Sequence, residues 1–175
     1  MGTRAAGTLV ALAVLALGPV AGAADVNPHL APLLGKTLPG VVSPPGAANP
    51  AVDIQRFEPA LGGQAVRNSH SVNHGAYGGE AFIVWDEEKQ SLVSYYFTTA
   101  GFYTVGTLTV EDGAFVFHQV VKGSAGGVTE VKATSRLLPD GRLLVKSQHL
   151  KDGKWQDPRE TYYVEEPQAV VRFKE

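Results

Sequence analysis

The chain has 175 residues, 44% of them hydrophobic and 18% charged, with a formal net charge of -2 and no cysteine. That length and composition suit one globular domain. Singly scattered basic residues supply no stripe for phosphate recognition, so no nucleic acid is expected. The absence of cysteine excludes disulfides, thiol chemistry and a lipid-modified cysteine anchor.

Residues 1–23 read as a signal peptide. Arg4 supplies a positive start, Leu9 to Leu17 (LVALAVLAL) a short apolar run, and Ala21-Gly22-Ala23 a small-x-small cleavage site. The run is too short for a membrane span, which needs about 20 apolar residues. Cleavage after Ala23 would remove Arg4, taking the formal charge from -2 to -3. The expected location is periplasmic or secreted, soluble after cleavage.

Residues 24–51 form an irregular Pro/Gly-rich arm in this reading. His29 to Leu34 is compatible with one helical turn, interrupted by Pro32. The stretch LPGVVSPPGAANP, residues 38–50, predicts a loop or extended arm, because proline fixes φ and removes ladder donors. Such an arm could wrap the domain or close one end of it.

The domain proper spans 52–175. Val52 to Phe57 and Gln64 to Asn73 are its first two predicted strands. Glu80 to Asp86, Leu92 to Thr99, Phe102 to Val110 and Ala114 to Val121 follow. After the turn KGSAGG come Val128 to Leu138, Arg142 to Leu150 and Lys154 to Val164, with Pro158 marking a bulge or an edge. The segment VVRF, residues 170–173, is a further short candidate. Asp112-Gly113, Asp140-Gly141 and Asp152-Gly153 separate alternating runs, and Asp-Gly supplies the positive φ angles of tight hairpins. No stretch keeps a helical period over three turns. The fold class is therefore all-β, an antiparallel meander of eight to ten strands. Closure into a barrel is favoured over stacked sheets because it removes exposed edges.

A strand shows alternate residues to opposite faces. One face of Gln64 to His74 carries Val66, Asn68, His70, Val72 and His74. Ala114 to Val121 divides into Val116, His118 and Val120 against Phe115, Phe117, Gln119 and Val121. Leu92 to Thr99 divides into Val93, Tyr95, Phe97 and Thr99 against Leu92, Ser94, Tyr96 and Thr98. Polar residues mixed into apolar faces fit either water-facing positions or a lumen with a few polar groups. A barrel of about eight strands can hold one small ligand. The lumen candidates are His70, Phe82, Tyr95, Phe97, His118 and His149.

The layout from Leu33 to Val164 resembles the calycin-like superfamily, the lipocalin and fatty-acid-binding type of barrel, closest to small bacterial lipocalin-like domains. The residues that carry the resemblance are Leu33-Leu34-Gly35, Phe57 to Gly62, Val84-Trp85-Asp86, and Asp152-Gly153-Lys154-Trp155 followed by Thr161-Tyr162-Tyr163. Where such domains have tryptophan just after the first glycine, Lys36 and Thr37 follow Gly35 here. The resemblance implies a closed barrel and a small apolar or amphipathic ligand. It also raises haem ligation by His118 or His149, although a lone strand histidine is more commonly a hydrogen-bonded or exposed residue. No cofactor is expected.

No catalytic motif is present. His70 and His74 on one strand would lie about 13 Å apart at 3.3 Å per residue, too far to share a zinc ion. A metal site there would need a turn starting at Asn73, and none is expected. No G-x-S-x-G elbow occurs, and Ser69 and His70, being adjacent, point to opposite faces. Glu87-Glu88 and Glu165-Glu166 fall in turns or ends, where carboxylates are solvated. GSAGG lacks the lysine of a phosphate loop. Three functions stay open: a ligand-binding module, an enzyme using a cavity histidine, and an envelope interaction protein with a filled barrel. The residues do not settle the oligomeric state.

Overall fold

The computed structural model describes residues 29–174. The signal peptide expected over 1–23 lies outside them. The chain is an all-β antiparallel meander closed into a ten-strand barrel, compatible with a calycin-like fold. A short 3-10 turn, Ala31–Leu33, precedes β1 (Thr37–Val41). Then follow β2 (Val52–Ala60), β3 (Ala65–Val72), β4 (Tyr77–Asp86), β5 (Ser91–Thr98), β6 (Tyr103–Glu111), β7 (Ala114–Lys122), β8 (Val128–Leu137) and β9 (Leu143–Lys151). The final segments are β10 (Lys154–Trp155) and β11 (Arg159–Tyr163). Consecutive strands pair from β1 to β9, β11 returns to β9, and β1 closes the ring against β11. Both β10 and β11 pair with β9, so they are two parts of one strand interrupted around Pro158.

Two of the three Asp-Gly pairs adopt the expected two-residue turn with both residues at positive φ, namely Asp112-Gly113 and Asp152-Gly153. The third differs. Leu138 N–H donates to the Arg142 carbonyl at 2.8 Å, which leaves a three-residue loop with only Gly141 at positive φ. Pro139 accounts for this, because its fixed negative φ suits a type I turn followed by one left-handed residue.

Two expectations fail at the ends. Residues 37–41, read from sequence as part of an irregular arm, form β1. Leu38 and Gly40 face inward and Pro39 occupies a partner position opposite Ile54. The segment 170–173 forms no strand; instead Arg172 N–H donates to Ser71 Oγ at 3.0 Å beside β3.

One end of the barrel is plugged. Leu30, just before the 3-10 turn, and Leu33 within it fill this end, packed with Leu38, Phe57, Val66, Ile83, Leu108, Phe115 and Leu143. Leu30, Leu33, Leu38, Leu108, Leu143 and Val66 are all almost wholly buried. Burying each such side chain contributes about 1.5–3 kcal/mol. Among the described residues no helix is long and apolar enough to cross a membrane.

Candidate functional site

Beyond the plug the lumen opens into a cavity of about 430 Å³. Its polar wall comes from the ends of β2, β3, β4 and β5: Asp53, Gln55, Asn68, His70, Tyr77 and Tyr96. Its apolar wall comes from β7, β8 and β9 and from two connections: Phe102, Phe117, Val121, Ala125, Val128, Val131, Ala133 and Val145. A smaller void of about 110 Å³ lies toward Leu30 and Leu33.

The polar wall is one hydrogen-bonded chain. His70 Nδ1 sits 2.8 Å from Asp53 Oδ1, and His70 Nε2 sits 2.6 Å from Tyr96 Oη. Tyr96 Oη is 2.9 Å from Tyr77 Oη. On the far side of Asp53, the Tyr163 hydroxyl donates to Oδ2 at 2.8 Å, and Gln55 Nε2 donates to the same oxygen at 3.5 Å. Asn68 Nδ2 donates to Gln55 Oε1 at 3.4 Å. The Asp53 side chain is only 7% exposed. A buried carboxylate is costly unless hydrogen-bonded, and here both of its oxygens accept bonds.

Three glycines make these crossings geometrically accessible. Each faces inward on a strand lying between two bonded partners. Gly40 on β1 pairs with both Tyr163 and Asp53, which bond over it. Gly79 on β4 pairs with His70, and a Cβ there would lie 2.6 Å from Tyr96 Cε2. Gly106 on β6 pairs with Ser94 and Gln119, whose side chains meet at 3.2 Å. A Cβ at 40 or 79 would strike the ring of a bonded partner, Tyr163 or Tyr96, and one at 106 would strike the β7 backbone at His118 and Gln119.

Burial raises the Tyr77 and Tyr96 phenols above the ordinary value, Tyr96 far above it, aided at both by the charge on Asp53. Burial likewise raises Tyr163, again with Asp53 beside it. These phenols are neutral donors and acceptors. His149 lines the cavity from β9. Its imidazole is pushed below the ordinary value, first by burial and then by Arg159. Thr104 also lines the cavity and is opposite Tyr96 in the β5–β6 ladder; its buried hydroxyl has no partner.

The six lumen candidates divide. His70 and His149 line the cavity. Phe82, Tyr95, Phe97 and His118 do not. Phe82 lies on the face opposite Ala81 and Ile83, which point inward. Tyr95 and Phe97 are 38% and 51% exposed, with Phe97 stacked on Tyr103 outside the barrel. His118 Nε2 meets Glu130 Oε2 at 2.7 Å on the outer face. The reason is the sequence of β5: Tyr95, Tyr96 and Phe97 put aromatics on both faces, so hydrophobicity does not separate them. In β7 the inward set is Phe117, Gln119 and Val121, the more polar His118 set facing out. Among the described residues no cluster of three His, Cys, Asp or Glu could hold a metal ion.

Sequence reasoning missed Asp53, Tyr77, Tyr96 and Tyr163. The available signal was the inward placement of Asn68 and His70 on one strand face, which requires polar partners from neighbouring strands. No protein-family model matches the chain, and no curated protein matches it.

Proposed function

We propose that the chain is an exported, lipocalin-like binding protein, soluble in the periplasm or outside the cell, that takes one small amphipathic molecule into its barrel. The observation that carries this reading is the two-walled cavity of about 430 Å³. Ligand cavities are typically 300–1,000 Å³, mostly apolar, with a few convergent polar groups. Here Phe117 and the valines of β7 to β9, together with Phe102, would hold an apolar body, and the Asp53–His70–Tyr96–Tyr77 chain would meet a polar end. The alternative of an interaction protein with a filled barrel has less support, because the lumen is filled only at the plugged end.

Native mass spectrometry of the protein purified from its own host tests the proposal. A bound mass in the range of a lipid-like molecule is expected. A protein that is persistently empty, and that binds no member of a panel of fatty acids, fatty alcohols and amines, isoprenoids and haem, would overturn it.

One observation favours a second reading, an enzyme with His70 as acid–base group. Asp53 orients His70, and His70 contacts a phenol, as a general base and its orienting carboxylate would. A His70→Gln variant would then accumulate an untransformed molecule. Adding wild-type protein should change that molecule's mass, and an unchanged mass rules the enzyme out.

A further inference from the structure

The hydrogen-bonded wall has a direction, and the direction selects a headgroup. The carboxylate of Asp53 only accepts, so His70 Nδ1 carries a proton toward it. Wherever the imidazole is neutral, that leaves Nε2 as an acceptor, and the hydrogen bond at 2.6 Å is then donated by Tyr96. The Tyr96 proton is thereby committed. The bond between Tyr77 and Tyr96 at 2.9 Å must then be donated by Tyr77. The Tyr77 proton is committed in turn, and its oxygen offers only lone pairs. The chain therefore ends at an acceptor on the cavity wall.

The charge of the cavity points the same way. Among its lining residues Asp53 is the only carboxylate, and none is lysine or arginine. The cation that acts on His149, Arg159, is exposed and lines an adjoining groove with Lys151, Gln156 and Asp157, which meets the cavity at Val128 and His149. Beside Tyr77 a carboxylate headgroup would meet a lone-pair acceptor and a buried negative charge, with no cation among the cavity's own lining residues to offset its desolvation. A hydroxyl or an ammonium would instead donate to Tyr77 Oη.

We propose that the cavity binds amphiphiles with a hydrogen-bond-donating, uncharged or cationic head, an alcohol or a primary amine, with Tyr77 Oη as the acceptor, and that it discriminates against carboxylates. This rests on the binding reading above and specifies its ligand class.

Calorimetric titration of the whole chain with decanol, decylamine and decanoate tests it, since the three share one apolar body. Decanol and decylamine should bind at least about tenfold more tightly than decanoate, the worth of one well-made hydrogen bond. Tyr77→Phe should weaken decanol several-fold to about tenfold and leave decanoate unchanged. Decanoate binding as tightly as decanol overturns the headgroup assignment while leaving the binding reading intact. Unchanged decanol affinity in a folded Tyr77→Phe variant overturns it equally. No binding of any of the three to wild-type protein removes both. If Tyr77→Phe does not fold, the three-ligand comparison on the wild-type chain decides alone.

Discussion

The ring of Tyr163 occupies the space that a side chain at position 40 would need. A Cβ on Gly40 would lie 2.6 Å from Cδ1 and 2.9 Å from Cε1 of that ring. Gly40 does not have a positive φ, so the glycine is required by crowding and not by backbone conformation. Gly40→Ala should therefore cost about 1–3 kcal/mol of stability, as overpacking does. It should also displace the hydroxyl that Asp53 accepts. Urea denaturation measures the loss. Tyr163→Leu in the same chain removes the ring's part of the clash and leaves Thr161 Cγ2 at 2.9 Å, so the double variant should be more stable than the sum of the single losses predicts. Strict additivity would mean that the ring and the glycine do not compete for this space.

Asp53 fixes which nitrogen of His70 bears the proton. Long-range proton–nitrogen correlation spectra should show neutral His70 as the Nδ1–H tautomer. Asp53→Asn replaces an acceptor-only group with one that also donates. It leaves one oxygen for three donors, His70 Nδ1–H, Tyr163 and Gln55, where the carboxylate offers two. The tautomer preference should relax, and stability should fall by about 1–3 kcal/mol, the cost of leaving buried polar groups poorly paired. An Nε2–H tautomer in the wild-type protein would reverse the direction of the whole chain and refute the assignment.

The barrel was legible because its signals are local. Asp112-Gly113 and Asp152-Gly153 impose their turns almost regardless of context, and the alternating runs between such turns have no helical competitor. β1 was not legible. Pro39 and Gly40 argue against a strand in isolation, and both are tolerated only because of what the closed ring places beside them. Gly40 is required by Tyr163, which lies 123 residues later in the chain. The site was half legible for a related reason. His70 announces itself as a polar residue on a partly apolar face, but Asp53, Tyr96 and Tyr77 reach it across strands through register. Register depends on the pairing of whole strands, and the aromatic run Tyr95-Tyr96-Phe97 fits both registers equally well by composition.

The three buried phenols should resist alkali. Tyr77, Tyr96 and Tyr163 are all raised from the ordinary value of 10.0, first by burial. The folded state keeps protons that the unfolded chain releases above that value. Stability from these groups is therefore complete below about pH 10 and is lost as pH rises beyond it. In an absorbance titration three of the six tyrosines should fail to form phenolate until the barrel unfolds. Tyr96→Phe should make alkaline unfolding less steep. Six phenols ionising reversibly while the circular dichroism stays native would contradict the burial of this wall.

His149 should govern the acid side, from the opposite wall. Its imidazole is held below the ordinary value of 6.5, first by burial and then by Arg159. The unfolded chain takes up a proton as pH falls through 6.5, whereas the folded chain resists it. Stability is thus fully retained above that value and declines as pH drops below it. Glu58 acts lower down. Its hydrogen bonds to Arg56 and Arg67 depress its carboxyl from 4.5, so its contribution is present above that value and disappears only on further acidification. The interval between 6.5 and 4.5 therefore separates the two groups. Within it, His149→Gln should flatten the fall of unfolding free energy with acid, while Glu58→Gln should leave the slope unchanged. Arg159→Gln should flatten it less than His149→Gln, because the arginine is exposed and its charge is screened by solvent. Denaturant melts of the three variants across that interval check the ordering. A His149→Gln slope equal to that of the wild type would mean that the imidazole meets water as freely in the barrel as in the unfolded chain.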